Sequence, residues 1–521
     1  MDSCLVQKVP VTLPPWIPCP VPKAKGYTDI TSLTPILDTF LGSMPLKEGA
    51  LASDTHISQI LDLGGSGTCT LETTKGTVQA YCKVTHLLDP TRSLQNYYTN
   101  AEKGQKRREK KLENPTNQAY VDGLANYLLG QLRERGISPH FCLSYGAYKA
   151  SAGTYRYNIT EDYESYRKYR VFWERRRAGL FALHVPDGSV ESTPNSSLRS
   201  STFSYDTTRS DKSHETLDSD TEISNTVAEV ELESVDSFPS GSPEENEESE
   251  EDVSEEESEE EIFAEFKNYP VLLIFQERME GVLDDLLEDE DAVGASIGSD
   301  AWEQRWTAWI FQIIAALCAA QGALGFTHND LHTNNIVWTK TEEEFLSYVA
   351  RDGTVWRVPT FGRIFRIIDF GRAIYRVGEK WFVSDDYAAG GDAAGQYNLA
   401  LLRPNPSFDL CRLSVSLIDT IFPEPPVERL DGQLLSEEKG WKVFETESPL
   451  WNLLWSWLID EEGRNVLREE DGEERYPDFD LYQQISGHVV SAKPQEQIRQ
   501  ALFNTYCVSR ESVGKVYPLF C

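Results

Sequence analysis

An aspartate and an asparagine five residues apart form the first pattern in this sequence that suggests chemistry. Asp330 and Asn335 belong to the stretch HNDLHTNN, which follows a long apolar run and precedes the strand-like run Ile336–Trp338. A carboxylate can orient an attacking hydroxyl and accept its proton, and a nearby amide oxygen can bind magnesium. The pair is therefore suited to phosphoryl transfer, with Asp330 as the base and Asn335 as a metal ligand.

A second carboxylate and a lysine extend this pattern along the chain. Asp369 lies in the run RIIDFGRA, where two β-branched residues end a predicted strand and a glycine permits a tight turn. Lys83 lies in the alternating run VQAYCKV, after the glycine turn Gly64–Gly67. We expect Asp369 to bind magnesium, Lys83 to bind phosphate oxygens, and glycine N–H groups to cover those oxygens.

The elements that would position these residues divide the chain into five parts. Residues 54–185 are strand-rich with one helix, residues 263–280 are predicted to form a buried strand and the connection after it, and residues 281–521 are mostly helical. Residues 1–53 are predicted to be an N-terminal extension and residues 186–262 an acidic insert. This order predicts an α+β fold, in which a small β-rich part precedes a larger helical part.

Two local elements can be placed more closely. The apolar spacing predicts a helix over Asn114–Arg135, with Gly136 as its C-cap. A hairpin is predicted near Tyr348–Ile368, with Asp352-Gly353 as its turn. The hairpin would account for much of the distance between Asp330 and Asp369.

Charge and composition restrict the classes of partner. The net charge is −35, and the insert 186–262 alone has 25 acidic against 3 basic residues. Such a low-complexity acidic segment is expected to be disordered, and it is suited to a basic protein partner. The charge argues against nucleic acid and anionic membranes. The nine scattered cysteines and the lack of a predicted membrane span or secretory signal favour a cytoplasmic location.

Taken together, these runs resemble protein kinases. HNDLHTNN resembles the HRDLxxxN catalytic loop, RIIDFGRA resembles the Asp-Phe-Gly segment, and VQAYCKV resembles the strand with the phosphate-binding lysine. In the loop, Asn329 replaces the arginine and His332 replaces the usual lysine. The Asp-Leu-His sequence also resembles small-molecule phosphotransferases of the aminoglycoside and choline type. The run VPTFGRIFRIIDFGRA and the large insertions resemble divergent kinases of large DNA viruses, including iridovirus-like ones.

The resemblance implies a bilobal protein-kinase-like fold that uses ATP and Mg²⁺. Residues 54–185 and 263–280 would form the N-lobe with its hinge, and residues 281–521 the helical C-lobe. The implied catalytic residues are Asp330 and Lys83, the implied metal ligands are Asn335 and Asp369, and the implied nucleotide contacts are Gly65, Gly67, Lys83, Glu277 and Met279. Gln276 would be the gatekeeper, and Asp409 would hold the backbone of the catalytic loop.

The acid that would pair with Lys83 is left open. Asp122 is the best placed, but its side chain is one methylene shorter than the glutamate of the family, and its pattern favours a surface position. Glu113 and Glu134 are the alternatives, one before the predicted helix and one at its end.

Four functions therefore stay under consideration. The leading prediction is a Ser/Thr protein kinase, located in the host cytoplasm if the chain is viral. The alternatives are a small-molecule phosphotransferase, a pseudokinase scaffold, and a protein whose acidic insert is the functional part. No Ala-Pro-Glu follows the Asp-Phe-Gly segment, so control by phosphorylation of an activation loop is not expected.

Overall fold

The structure, a computed structural model, describes residues 22–33, 54–99, 101–185, 261–385, 404–476 and 479–521. Three sequence features lie almost entirely outside these ranges. They are the helical pattern SLTPILDTFLGSM, the acidic insert up to residue 260, and the small-residue segment that continues beyond Asp385.

The largest sheet among the described residues has seven strands, and every pairing in it is antiparallel. Its strands are β1 (Tyr27–Ser32), β2 (Ile57–Leu63), β3 (Thr68–Thr73), β4 (Gly76–His86), β5 (Ser144–Asn158), β6 (Ala182–His184) and β7 (Phe263–Glu277). They lie in the order β1-β5-β7-β4-β3-β2, and β6 pairs with the beginning of β7. Since β1 comes from the predicted N-terminal extension, part of that extension belongs to the sheet.

Strand β4 shows how the sequence alternation positions a functional side chain. Ala80 and Cys82 are buried on one face of the sheet, and Tyr81 and Lys83 lie on the other face. The neighbours of β4 are β3 and β7, and Lys83 is paired in register with Ile274 of β7. Lys83 is therefore held on a central strand, whose backbone is hydrogen-bonded on both sides.

Five helices accompany this sheet. They are α1 (Pro90–Leu94), α2 (Glu102–Glu113), α3 (Gln118–Glu134), α4 (Tyr163–Tyr166) and α5 (Arg170–Arg177). Helix α3 begins four residues later than the sequence predicts, because the Asn117 side chain caps it by accepting a hydrogen bond from the N–H of Ala119. It ends as predicted before Gly136, which has the left-handed φ of 68°. Most of α3 is buried against β5 and β7.

Seven further helices follow the sheet. They are α6 (Glu290–Val293), α7 (Asp300–Leu324), α8 (Phe408–Val415), α9 (Ile418–Ile421), α10 (Pro449–Trp457), α11 (Phe479–His488) and α12 (Pro494–Gln497). Helix α7 is the centre of their core, and its residues Trp302, Trp306 and Trp309 are fully buried. By length and composition alone α7 could cross a membrane, but 83% of its apolar window is buried inside the protein. Its apolar residues are accounted for by this core.

The region after residue 280 contains more strands than the sequence predicts. They are β8 (Gly281–Val282), β9 (Ile336–Lys340), β10 (Phe345–Val349), β11 (Val355–Pro359), β12 (Arg363–Ile367), β13 (Ile374–Val377), β14 (Lys380–Val383), β15 (Leu434–Glu438), β16 (Trp441–Phe444), β17 (Cys507–Val508) and β18 (Tyr517–Pro518). The predicted hairpin is confirmed as β10–β11, with Gly353 at a φ of 90° in its turn. The short strands β17 and β18 pair with this hairpin from the end of the chain, a contact that local patterns do not reveal.

The described residues therefore form a mixed α+β fold, with one large antiparallel sheet and twelve α-helices. Helix α3 packs on the sheet, and α7 packs on β12, the strand that precedes Asp369. The residues singled out in the sequence lie on these elements and on the loops next to them.

Candidate active site

Three charged side chains from distant parts of the chain meet at one point. The Lys83 Nζ atom on β4 lies 2.6 Å from Asp122 Oδ2 on α3. It also lies 2.7 Å from Asp369 Oδ1, in the turn that follows β12. The predicted convergence of Lys83 and Asp369 is present, and the identity of the helix acid is resolved as Asp122.

The three charged side chains differ in the direction of their pKa shifts and in their exposure. Burial alone would lower the pKa of Lys83, but the two carboxylates outweigh it and raise that pKa above its usual value. Burial raises the pKa of Asp122, and Lys83 opposes that rise only in part. For Asp369 the ammonium outweighs burial and lowers the pKa. The Asp369 side chain is 44% exposed against 4% for Asp122, so Asp369 is the carboxylate that can turn to a ligand.

Asp122 reaches the lysine because α3 lies close to the sheet. Gly123 and Gly130 are two helical turns apart on the side of α3 that faces β5 and β7. A Cβ atom at Gly123 would lie 3.0 Å from Leu272 Cδ2, and one at Gly130 would lie 3.0 Å from the carbonyl oxygen of Cys142. This close approach lets a carboxylate one methylene shorter than glutamate reach Lys83.

The expectation that Asp122 occupies a surface position is wrong, because its side chain is buried between α3, β4 and the turn at Asp369. Of the two alternatives, Glu134 Oε1 lies 3.8 Å from the Nζ atom of Lys75, and Glu113 is the last residue of α2. A single-sequence pattern does not reveal how closely a helix packs.

We expect Asp122→Glu to lower kcat/KM for ATP by about 10- to 100-fold, because the longer side chain displaces the Lys83 ammonium by about an ångström. Glu134→Asp is the control, since Glu134 is on the same helix and its ion pair is with the exposed Lys75, not with Lys83. Steady-state kinetics of the two variants check the prediction. If Asp122→Glu were as active as the wild type, the close packing of α3 on the sheet would not require the shorter aspartate side chain.

The backbone just before Asp330 is held by a buried carboxylate. Asp409 of α8 accepts hydrogen bonds from the N–H of His328, at 3.0 and 2.9 Å, and from the N–H of Asn329, at 3.0 Å. The predicted role of Asp409 is confirmed. Asn329 has the left-handed φ of 63°, which asparagine tolerates, and its side chain donates to the carbonyl of Arg372 at 3.0 Å. Asn329 thus joins the loop to the segment after Asp369.

Asn335 is oriented within the same loop. Its Nδ2 atom donates to the carbonyl oxygen of Asp330 at 2.9 Å and lies 3.0 Å from His332 Nε2. Burial lowers the pKa of His332, so the neutral ring can accept this hydrogen bond. The amide nitrogen is thereby engaged, and the amide oxygen of Asn335 is the atom left for a metal ion.

The turn at Asp369 is fixed by the residue that follows. Asp369 has a φ of 64°, and the buried ring of Phe370 packs 5.9 Å from Phe326 and 5.7 Å from His328. The N–H of Phe370 donates to Asp122 Oδ1 at 2.9 Å. Asp122 therefore holds both Lys83 and the backbone next to Asp369, one with each carboxylate oxygen.

The two glycines of the predicted phosphate cover differ in their structural need. Gly67 has a φ of 81°, and a Cβ atom there would lie 2.8 Å from the Tyr81 ring and 2.9 Å from the carbonyl oxygen of Cys82. Gly65 has no atom within 4 Å of such a position. The turn therefore requires glycine at position 67. At position 65 a side chain would meet no steric obstacle. The Tyr81 ring beneath the turn is 39% exposed, on the same face as Lys83.

The predicted hinge residues also differ. The N–H of Glu277 donates to the carbonyl of Leu143 at 2.9 Å, so that donor is already used. The main chain of Met279 makes no hydrogen bond to another described residue, and its Sδ atom contacts Arg366 NH1 at 3.0 Å. The side chain of Gln276 is buried and accepts a hydrogen bond from Asn126 at 2.5 Å. Met279 is therefore the better candidate for a main-chain contact to adenine.

Two adjacent cavities meet at Asp330. A cavity of 190 Å³ is lined by Lys83, Asp122, Asp330 and Asp369. A second cavity of 520 Å³ is also lined by Asp330, together with the residues His332, Asn334, Arg412 and Tyr482. Asp330 thus borders both a cavity that contains an ammonium and an exposed carboxylate and a larger open cavity.

The second cavity contains side chains that the sequence did not reveal as functional. Tyr482 donates a hydrogen bond to Asp330 Oδ1 at 3.0 Å, across 152 residues of sequence, and Arg412 Nε donates to the Tyr482 hydroxyl at 3.1 Å. For Arg412, the one sequence feature that could have indicated a position near the site is that it lies one helical turn after Asp409. No local pattern marks Tyr482.

The residues that the structure describes offer few protein ligands for a magnesium ion. They contain no group of three or more His, Cys, Asp or Glu side chains arranged to hold a metal ion. The predicted pair Asn335 and Asp369 offers an amide and a carboxylate oxygen, and Mg²⁺ commonly takes few protein ligands and completes its shell with phosphates and water. The donor types therefore suit magnesium, and the backbone of Asn335 lies next to the Asp369 turn, since its carbonyl oxygen accepts a hydrogen bond from the N–H of Ile368 at 3.0 Å.

Comparisons with known proteins do not add to this picture. No protein-family model matches the sequence, and a search of curated proteins finds no significant match. The functional conclusion therefore rests on the chemistry of the site.

Proposed function

We propose that this protein is an ATP- and Mg²⁺-dependent phosphotransferase with a bilobal protein-kinase-like arrangement. Its proposed reaction is the transfer of the γ-phosphoryl group to a Ser or Thr hydroxyl of a protein. The sheet β1–β7 with α3 would be the smaller lobe, and the helical region around α7 the larger one.

One observation carries this proposal. Asp330 lies at the boundary of two cavities, and the cavity on one side contains the Lys83–Asp369 pair. A phosphotransferase needs such a division, because phosphates must lie on one side of the base and the attacking hydroxyl on the other. Lys83 lies more than two hundred residues before Asp330 and Asp369 in the sequence, and the fold brings all three to the lining of one cavity.

Each residue has a task that follows from its environment. Lys83, held protonated by Asp122, would bind phosphate oxygens once Asp369 turns away from it. Asp330 would accept the hydrogen bond of the acceptor hydroxyl and take its proton as the oxygen attacks phosphorus. The N–H groups of the turn near Gly65 and the main chain of Met279 would orient the nucleotide. Most of the acceleration would come from positioning and electrostatics.

Asn335 and Asp369 would hold the magnesium ion. When bound, the ion neutralises the charge that develops on the phosphate oxygens. The orientation of the Asn335 amide by the Asp330 carbonyl and the exposure of Asp369 both suit this task.

The shape of the second cavity supports a protein acceptor over a small molecule. It shares Thr333 and Ser416 with an open groove of 930 Å³ that runs along residues 284–291. An extended peptide can follow such a groove, whereas small-molecule sites are usually enclosed. The runner-up, a small-molecule phosphotransferase, is supported by His332 beside Asn335.

The experiment is a transfer assay with purified protein, magnesium and γ-labelled ATP. Generic protein acceptors are compared with small acceptors of the aminoglycoside and choline type. Label on Ser or Thr that is lost in Asp369→Ala supports the proposal, and label confined to small acceptors favours the runner-up. Nucleotide binding without any transfer would indicate a pseudokinase.

A further inference from the structure

The candidate base is held by a side chain from the far end of the chain. The hydroxyl of Tyr482, on α11, lies 3.0 Å from Asp330 Oδ1, and Arg412 Nε on α8 lies 3.1 Å from the same hydroxyl. The three groups therefore form a continuous chain from guanidinium to phenol to carboxylate.

The direction of the hydrogen bonds in this chain is determined by chemistry. A guanidinium has no acceptor, so Arg412 must donate to the Tyr482 oxygen. The single hydroxyl proton of the phenol then points to Asp330. Burial raises the pKa of Tyr482, the nearby charge of Asp330 adds to that rise, and Arg412 opposes it, so the phenol keeps the proton that it donates. The arrangement occupies Oδ1 of Asp330 and leaves Oδ2 for an acceptor hydroxyl.

The tyrosine itself is fixed from several directions. Asn405 Nδ2 donates to the carbonyls of Ile485 at 3.1 Å, Ser486 at 3.1 Å and Val489 at 2.9 Å, which anchors the end of α11. The ring of Tyr482 packs 6.1 Å from the buried ring of Phe408 at the start of α8. The same helix carries Asp409, which holds the backbone before Asp330.

We infer that Tyr482, supported by Arg412, is a positioning residue that holds the Asp330 carboxylate in one orientation for attack by the acceptor hydroxyl. This inference rests on the proposed phosphotransferase function. Helix α8 thus acts on the base twice, because Asp409 holds the backbone just before Asp330 and Arg412 supports the Tyr482 hydroxyl that binds the Asp330 carboxylate. In the catalytic loop itself, the usual arginine and lysine are replaced by Asn329 and His332.

The test begins with Tyr482→Phe, which keeps the ring and removes only the hydroxyl. We expect kcat to fall by about 10- to 100-fold, as for loss of a hydrogen bond to a charged group, with KM for ATP and the melting temperature unchanged. Arg412→Gln should lower kcat in the same direction. The double variant should be no worse than Tyr482→Phe alone, because the two residues act in series. Tyr506→Phe, which alters a partly buried tyrosine next to Phe311 and away from Asp330, is the control.

The outcomes separate the inference from the function on which it rests. An inactive wild type overturns the proposed function, and the inference falls with it. If the wild type is active, an unchanged kcat in Tyr482→Phe overturns the inference alone. A raised kcat would also overturn the inference, because it would mean that the hydroxyl blocks the acceptor position. Intact-mass and peptide mass spectrometry after incubation with magnesium ATP add a readout independent of substrate turnover, since phosphate on Tyr482 would make it an acceptor and also overturn the inference.

Discussion

Asp330→Asn is expected to lower kcat for phosphoryl transfer by about 10²–10⁴-fold, the contribution typical of a general base. Asparagine keeps the shape of the side chain, and its amide oxygen can still accept the hydrogen bond of Tyr482. The backbone of the loop is held by Asp409 and does not depend on the Asp330 carboxylate. We therefore expect the melting temperature and the affinity for magnesium ATP to stay at wild-type values. Single-turnover transfer and nucleotide titration measure the two quantities separately.

Asp431→Asn is a suitable control, because it removes the same charge from an exposed turn where, among the described residues, Asp431 pairs with Arg429. It should leave transfer unchanged. If Asp330→Asn and Asp431→Asn transferred phosphate equally well, Asp330 would not be the base. Its position at both cavities would then not support a phosphotransferase.

Lys83→Met is expected to abolish transfer and also to destabilise the fold. The variant leaves the buried Asp122 carboxylate without its cationic partner, and breaking a buried pair in this way costs about 3–5 kcal/mol in the free energy of unfolding. The partly exposed Asp369 adds little to that cost, because water can solvate it. Chemical denaturation without nucleotide measures the loss of stability, and the transfer assay measures the loss of activity.

The stability of Lys83→Met should also depend on pH in a defined direction. Burial already raises the pKa of Asp122 in the wild type, and loss of the ammonium raises it further. An unfolded aspartate has a pKa of about 3.9, so above that pH the native state binds a proton that the unfolded state releases. The stability of the variant should therefore be highest below about pH 4 and fall as the pH rises through the raised native pKa.

Lys75→Met is the matched control for this variant. Lys75 also joins the sheet to α3, through Glu134 at 3.8 Å, but its side chain is 61% exposed. The control should change the free energy of unfolding by less than about 1 kcal/mol. Equal losses in the two variants would show that the burial of Asp122 has no energetic consequence.

The candidate site residues that lie in short runs could be proposed from the sequence. Asp330 and Asn335 share one loop, and Asp369 and Phe370 share one turn, so the spacing alone carries their relation. The alternation of β4 placed Lys83 on one face of a strand, and the structure agrees. The hairpin turn at Gly353 was equally readable, because it depends on local backbone conformation.

Contacts between segments far apart in the sequence could not be predicted from local sequence patterns. The pattern of α3 made Asp122 look like a surface residue, because the pattern cannot show that Gly123 and Gly130 bring the helix close to the sheet. The strand β1 and the short strands β17 and β18 acquire their structure only by pairing with distant strands. For Glu277 the sequence suggested a free main-chain N–H for a nucleotide, but in the folded chain that N–H donates to the carbonyl of Leu143 in another segment.

By itself the sequence indicated the candidate site residues, the α+β class of the fold, and the order of the elements that carry those residues. These properties depend on residue type and on interactions within a few residues. The tertiary structure alone decided that Asp122 is the partner of Lys83 and that Tyr482 and Arg412 hold Asp330. Such contacts arise from how closely whole elements pack, and that spacing is a property of the folded chain and not of any one segment.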